Sequence, residues 1–145
     1  MDKIDERIVS ELQKNAKISM KDLAEIVHLS SPAVIERVRK LEDNHTIEGY
    51  HASVSLKKLD RNIMALILFK TKECKALMNF CHNHPDVLEC YRVAGEISYI
   101  AKVATHSVES LEMFIDEAMK YGNPSTNIVL SSHVKKVRSK YINEG

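Results

Sequence analysis

Apolar residues recur at three- and four-residue spacing through the first part of the chain, then shift to denser alternating runs. Ile4, Ile8 and Leu12 line one face of a helix that Asp2 caps, with Asp5 and Glu6 in the first turn, where the helix dipole favours acids. Asn15-Ala16-Lys17 ends it. Ser19, with Asp22 three residues on, opens a second, short helix in the manner of a capping box, and Leu23, Ala24, Ile26 and Val27 supply its buried face. After His28-Leu29-Ser30 a third helix starts at Ser31, or at Ser30 if the cap lies one residue earlier. Pro32 suits the first helical position, where its missing N–H costs nothing. Val34, Val38 and Leu41 face inward, so Glu36, Arg37 and Lys40 point away from the core and Arg39 lies at its boundary. Asp43-Asn44-His45 closes the helix, and TIEGYHASVSL (46–56) alternates enough to predict a short strand leading out of the unit.

The later pattern predicts a strand over 63–72, then a helix over 75–84 with Leu77, Phe80, Cys81 and His84 on one face and a break at Pro85. Strands follow at 87–94 and 98–104, joined around Gly95. Ser107 caps a helix carrying Val108, Leu111, Ile115 and Ala118, which Tyr121-Gly122-Asn123-Pro124 stops. A last strand runs over 127–134. The order β-α-β-β-α-β is the split ferredoxin-like unit. The fold class expected is therefore α+β, with a three-helix domain over residues 1–60 and a ferredoxin-like domain over 61–145. The boundary lies near Leu59-Asp60-Arg61-Asn62.

Charge changes this picture little. The net charge is +1; residues 1–60 carry 10 Lys+Arg against 11 Asp+Glu, and residues 61–145 carry 11 against 9. Any surface for nucleic acid must be local. Cys74, Cys81 and Cys90 are odd in number and lack a CxxC pair, which favours free thiols in a reducing cytosol. The charged, amphipathic N-terminus fits no signal peptide. The longest apolar run, 63–69, is far short of the roughly 20 residues of a membrane span. A cytoplasmic protein without a membrane partner is expected.

Three helices with a tight connection between the second and third match the helix-turn-helix plan, in which the third enters the DNA major groove. Ser30 and Ser31 sit where helix N–H groups meet a phosphate, and Arg37, Arg39 and Lys40 suit phosphates or guanine edges. A capped amphipathic surface helix with a Glu36–Lys40 pair satisfies the same pattern without DNA. Cys81-His82-Asn83-His84 places two mixed metal-ligand types on one helix without a second cluster, so a core cysteine with surface histidines is the simpler reading. Lys135, Lys136, Arg138 and Lys140 form a basic tail that suits phosphate contacts or a solvated terminus. No nucleophile–base–acid set, Walker glycine pattern or metal cluster is present in the sequence, so no catalytic residue, metal or cofactor is expected.

The pieces Ile4-Asp5-x-x-Ile8, Leu12-Gln13-x-Asn15-x-x-Ile18-Ser19, Leu23-Ala24-x-x-Val27-x-Leu29-Ser30, ERVRKLE (36–42), Ile47-x-Gly49-Tyr50 and YRVAGEISYIAKV (91–103) together resemble the Lrp/AsnC (feast/famine) transcriptional regulators over nearly the whole chain. The resemblance implies a winged-type helix-turn-helix over about Lys21 to Lys40, a hinge strand and a ferredoxin-like domain. It also implies double-stranded DNA as partner and homodimers that pair through their sheets and build tetramers or octamers. The function implied is transcription regulation, often with a free amino acid as effector. The DNA-facing residues would be Ser30, Ser31, Ala33, Glu36, Arg37, Arg39 and Lys40.

Three departures accompany the resemblance. His28 and His45 stand where the family usually has glycine, at turns that tend to need a left-handed backbone; Asn44 is an alternative to His45 for that conformation. The effector loop, usually close to G-D-x-D-Y, reads Gly95-Glu96-Ile97-Ser98-Tyr99, with Ser98 in place of an acid. Backbone N–H groups around Gly95 suit a ligand carboxylate and Glu96 its ammonium, so Gly95, Glu96, Ser98 and Tyr99 are the candidate effector residues, a plain β-turn being the alternative. Two further functions remain open beside a regulator: an architectural protein that wraps DNA with little base preference, and an enzyme like the sirohaem decarboxylases, whose fold is similar.

Overall fold

The structure, a computed structural model, describes residues 1–134; the stretches Met1–Ser53 and Val54–Ser132 form two compact units. The first unit is three helices. α1 (Lys3–Lys14) opens on a reciprocal capping box: the Asp2 carboxylate accepts from the Asp5 N–H at 2.9 Å, and the Asp5 carboxylate accepts from the Asp2 N–H at 3.1 Å. α2 (Met20–Val27) is capped by Ser19, whose hydroxyl accepts from the Asp22 N–H at 3.0 Å. α3 (Ser31–Asp43) is capped by Ser30 through the Ala33 N–H, 3.3 Å away. Pro32 therefore takes the second helical position rather than the first, still among the N–H groups that a helix start leaves unpaired.

Ile8, Leu12, Leu23, Ala24, Val27, Val34, Val38 and Leu41 form the core of this unit. Ile26, expected in it, is exposed: it lies a hundred-degree step round the helix from Val27, away from the packed face. His28 and His45 both adopt the left-handed backbone, at φ 56° and 60°, and Asn44 does not, at φ −90°. The strand expected over 46–56 is not formed. The Ile47 N–H folds back to the Leu41 carbonyl at 2.9 Å, and residues 48–55 lie exposed with no ladder partner among the described residues. An alternating pattern makes a strand only where a neighbour takes its backbone hydrogen bonds.

The second unit carries a turn of 3-10 helix (Lys57–Leu59), then β1 (Ile63–Lys70), α4 (Cys74–Asn83), β2 (Val87–Arg92), β3 (Tyr99–Thr105), α5 (Val108–Ala118) and β4 (Asn123–Ile128). The sheet order is β2-β3-β1-β4 and every pairing is antiparallel, the ferredoxin-like arrangement expected. Ala65, Ile67 and Phe69 of β1 and Tyr99, Ala101 and Val103 of β3 pack against Leu77 and Cys81 of α4 and Leu111, Phe114 and Ala118 of α5. By strand alternation Leu66, Leu68 and Ile100 lie on the opposite face.

Two expectations for this unit are corrected. Val108 is 60% exposed, and Phe114 takes its place in the core. The last strand begins at Asn123 and ends at Ile128. Pro124, read as a stop, pairs with Phe69 on an edge strand, where the missing N–H can face away from the sheet. Gly122 precedes it because a Cβ there would stand 3.0 Å from the Thr71 Cβ and 3.2 Å from the Lys70 carbonyl oxygen. Among the described residues no helix is long and apolar enough to cross a membrane. The basic tail, Lys135 to Lys140, lies outside the described residues.

Candidate nucleic-acid interface

α2 and α3 are joined by His28-Leu29-Ser30, and the left-handed His28 makes the turn sharp enough to bring α3 back across α2. The helix spacing places Pro32, Ile35, Glu36 and Arg39 on one outward stripe, at i, i+3, i+4 and i+7. Arg39 is exposed and doubly held: its guanidinium donates to Glu36 at 2.9 Å and approaches Asp43 at 3.6 Å. The Lys40 ammonium lies 3.8 Å from the same Glu36 carboxylate. The Arg39 guanidinium, first of all, holds the Glu36 carboxyl below its ordinary range.

The seven candidate residues divide. Glu36, Arg39 and Lys40 are on the surface, and Arg39 is well clear of the boundary where the sequence pattern put it. Arg37 does not point outward. It is half-buried against α1 and donates to Asp2 and Asp5, each at 2.8 Å. It sits three residues after Val34 and four before Leu41, at the rim of the buried stripe, which turns it toward the neighbouring helix. Ala33 is partly buried and lines a cleft of about 490 Å³ with Asp5 and Arg37. The Ser30 hydroxyl is committed to the cap, and Ser31 is half-buried at the start of the helix. Pro32 and Ile35 were absent from the expected set; their apolar side chains on the open side of α3, one step off the Val34–Val38–Leu41 stripe, were the available signal.

The effector loop also divides. Gly95 and Glu96 are exposed, and nothing lies within 4 Å of a Cβ placed on Gly95. Ser98 is half-buried and tied to β1: its N–H donates to the Phe69 carbonyl at 2.8 Å and its hydroxyl to the Thr71 carbonyl at 3.2 Å. Tyr99 is 3% exposed in the core between sheet and helices, where burial pushes its phenol pKa up. Its side chain is thus turned away from the solvent-facing loop. Of the two histidines read as surface residues, His82 is exposed but His84 is half-buried. Cys81 is buried against Cys90, with its pKa pushed up to about 12 chiefly by burial. The His84 ring packs edge-on to Phe114 at 4.8 Å and accepts from the Asp86 N–H at 3.1 Å.

Residues 1–42 match the family model of the AsnC-type helix-turn-helix domain, and residues 62–138 match that of the Lrp/AsnC ligand binding domain. The chain belongs to the Lrp/AsnC family. The HTH-type transcriptional regulator YezC of Bacillus subtilis (strain 168) is 48% identical over 132 residues, covering 91% of this chain and 95% of YezC. LrpC of the same organism is 32% identical over 133 residues, and its solved structure fits with a TM-score of 0.87 over 92% of this chain and 97% of LrpC. The leucine response regulatory protein LrpA of Mycobacterium tuberculosis fits at 0.82 with 25% identity, over 95% and 98% of the two chains. As a member of this family the protein is a helix-turn-helix transcription regulator, and its second unit corresponds to the family's ligand binding domain. In this Lrp/AsnC regulator the two turns flanking α3 are built by left-handed histidines.

Proposed function

We propose that this regulator reads double-stranded DNA through the outward stripe of α3. Arg39 and Lys40 are its charged contacts, Glu36 is an acceptor for cytosine or the counter-ion of Arg39, and Ser31 and the first N–H groups of the helix meet a phosphate. Ser30 and Ala33 serve through the cap and the helix start. Arg37 serves from behind, by holding α1 on α3. The observation that carries this reading is the exposure of Arg39, whose partners among the described residues, Glu36 and Asp43, are themselves exposed side chains. Surface pairs of that kind are weak and screened by salt, so a phosphate or a base edge exchanges for them readily. Residues 1–60 act as the DNA-binding domain and residues 61–145 as the effector and assembly domain. The protein is a cytoplasmic, non-enzymatic regulator that forms homodimers through the open sheet face of Leu66, Leu68 and Ile100 and assembles to tetramers or octamers. The effector is an amino acid met at Gly95 and Glu96, with Ser98 and Tyr99 shaping the loop from below. The ligand-binding family model and the relation to a leucine response regulatory protein support that class.

The test is selection of duplexes from a randomised pool, followed by anisotropy titration against unrelated duplexes over a salt series. A regulator binds the selected sites more tightly and protects half-sites about 34–36 Å apart. Equal protection of all sequences supports DNA wrapping and overturns this reading. Melting curves with each of the twenty amino acids test the effector, since a ligand that prefers the folded state raises the melting temperature; no shift with any of them removes it.

A further inference from the structure

We propose that Ile35 is a specificity-determining residue that reads a thymine methyl group, with Pro32 beside it. This rests on the reading of α3 as the groove-facing helix. The other large aliphatic residues of α3 are buried: Val34, Val38 and Leu41 are all under 10% exposed, whereas Ile35 is 50% exposed. Nothing in the three-helix unit accounts for isoleucine there. A β-branched side chain lowers helix propensity, and an outward isoleucine leaves apolar surface in water. Its place accounts for it better. Ile35 lies in the N-terminal half of α3, the half that touches base edges in helix-turn-helix docking. It shares its stripe with exposed Pro32 one turn before and with Glu36 and Arg39 after. The stripe is therefore apolar at its start and charged beyond.

The base edges of the major groove offer one apolar group, the C5 methyl of thymine; the rest are donors and acceptors. An aliphatic side chain there gains by covering that methyl and gains nothing from a cytosine or purine edge. Arg39, one turn further along the helix, has the chemistry for a guanine edge or a phosphate. The half-site predicted is one in which a methyl-bearing pyrimidine lies next to the position met by Arg39 and Glu36.

The test replaces thymine by deoxyuridine, one position at a time, in duplexes selected from a randomised pool. The replacement deletes the methyl and leaves base pairing intact. Wild-type protein should lose about fourfold in affinity at one symmetrical thymine per half-site, the size expected for one buried methyl. Ile35→Ala should bind thymine and deoxyuridine duplexes equally, at the weakened level, with an unchanged or higher melting temperature because alanine is the better helix former. Ile35→Val should keep part of the discrimination. If selected duplexes bind but no thymine responds to loss of its methyl, or if Ile35→Ala keeps the wild-type response, this inference falls while the reading of α3 stands. If no duplex is selected at all, both fall.

Discussion

His28 and His45 hold a left-handed backbone, at φ 56° and 60°, that costs a residue with a Cβ about 1–2 kcal/mol. Glycine pays no such cost but loses more freedom on folding. His28→Gly and His45→Gly are therefore each expected to stabilise the three-helix unit by about 0.5–1 kcal/mol, read as a higher denaturant midpoint; a lower midpoint in both would contradict the backbone account. At the other end of the unit, Asp2 ionises below its ordinary value of 3.8, chiefly because its carboxylate accepts from the Asp5 N–H and then from Arg37. Its contribution is thus complete above the ordinary value and is lost as the pH falls through the lowered one. Protection factors of the first amides of α1, corrected for intrinsic exchange, should fall as the pH drops below about 4, and Asp2→Ala, which removes the cap, should lose that protection already at neutral pH. Arg37→Ala should lower the melting temperature of the unit through the same contact. The two glycine-to-histidine departures were legible at this scale, since only the turn positions had to be found. The direction of Arg37 was not, because a residue at the rim of a stripe faces solvent or a neighbouring helix according to where that neighbour lies.

Elements with an apolar period were legible, and those without one were not. α1, α2 and α3 announced their caps, that of α3 to within one residue, and their buried stripes apart from Ile26. α5 was legible as a helix but not in all of its buried face: Val108 was read into the core and Phe114 was not, yet the larger ring took the core beside Phe80 and His84. Phe114→Ala should therefore cost about 3–5 kcal/mol and Val108→Ala close to nothing. Urea denaturation of the two variants separates them, and equal effects would place the helix in the wrong rotation. β4 was misplaced because Asn123-Pro124-Ser125-Thr126-Asn127 carries no alternation of its own; the register with β1 makes it a strand, and that register is not written locally. The stretch 46–56 is the reverse case, an alternating sequence with no partner strand among the described residues.

At the scale of the whole molecule, charge was uninformative and placement decided. The chain is nearly neutral, and α3 itself is laced with ion pairs, yet the fold sorts its basic residues into one that holds the helices together and two that stand open. Of the effector residues, the fold leaves Gly95 and Glu96 in solvent and draws Ser98 and Tyr99 inward, a division that the loop sequence gave no means to see. The central claim is that Arg39, and not Arg37, meets DNA. The salt dependence of affinity for a selected duplex tests it most directly, comparing wild type, Arg39→Ala and Arg37→Ala below their melting temperatures. Arg39→Ala should weaken binding about tenfold, and if the guanidinium meets a phosphate the log–log salt slope should fall by about 1, whereas Arg37→Ala should keep the wild-type slope. Unchanged affinity and slope in Arg39→Ala, with both reduced in Arg37→Ala, would contradict the account.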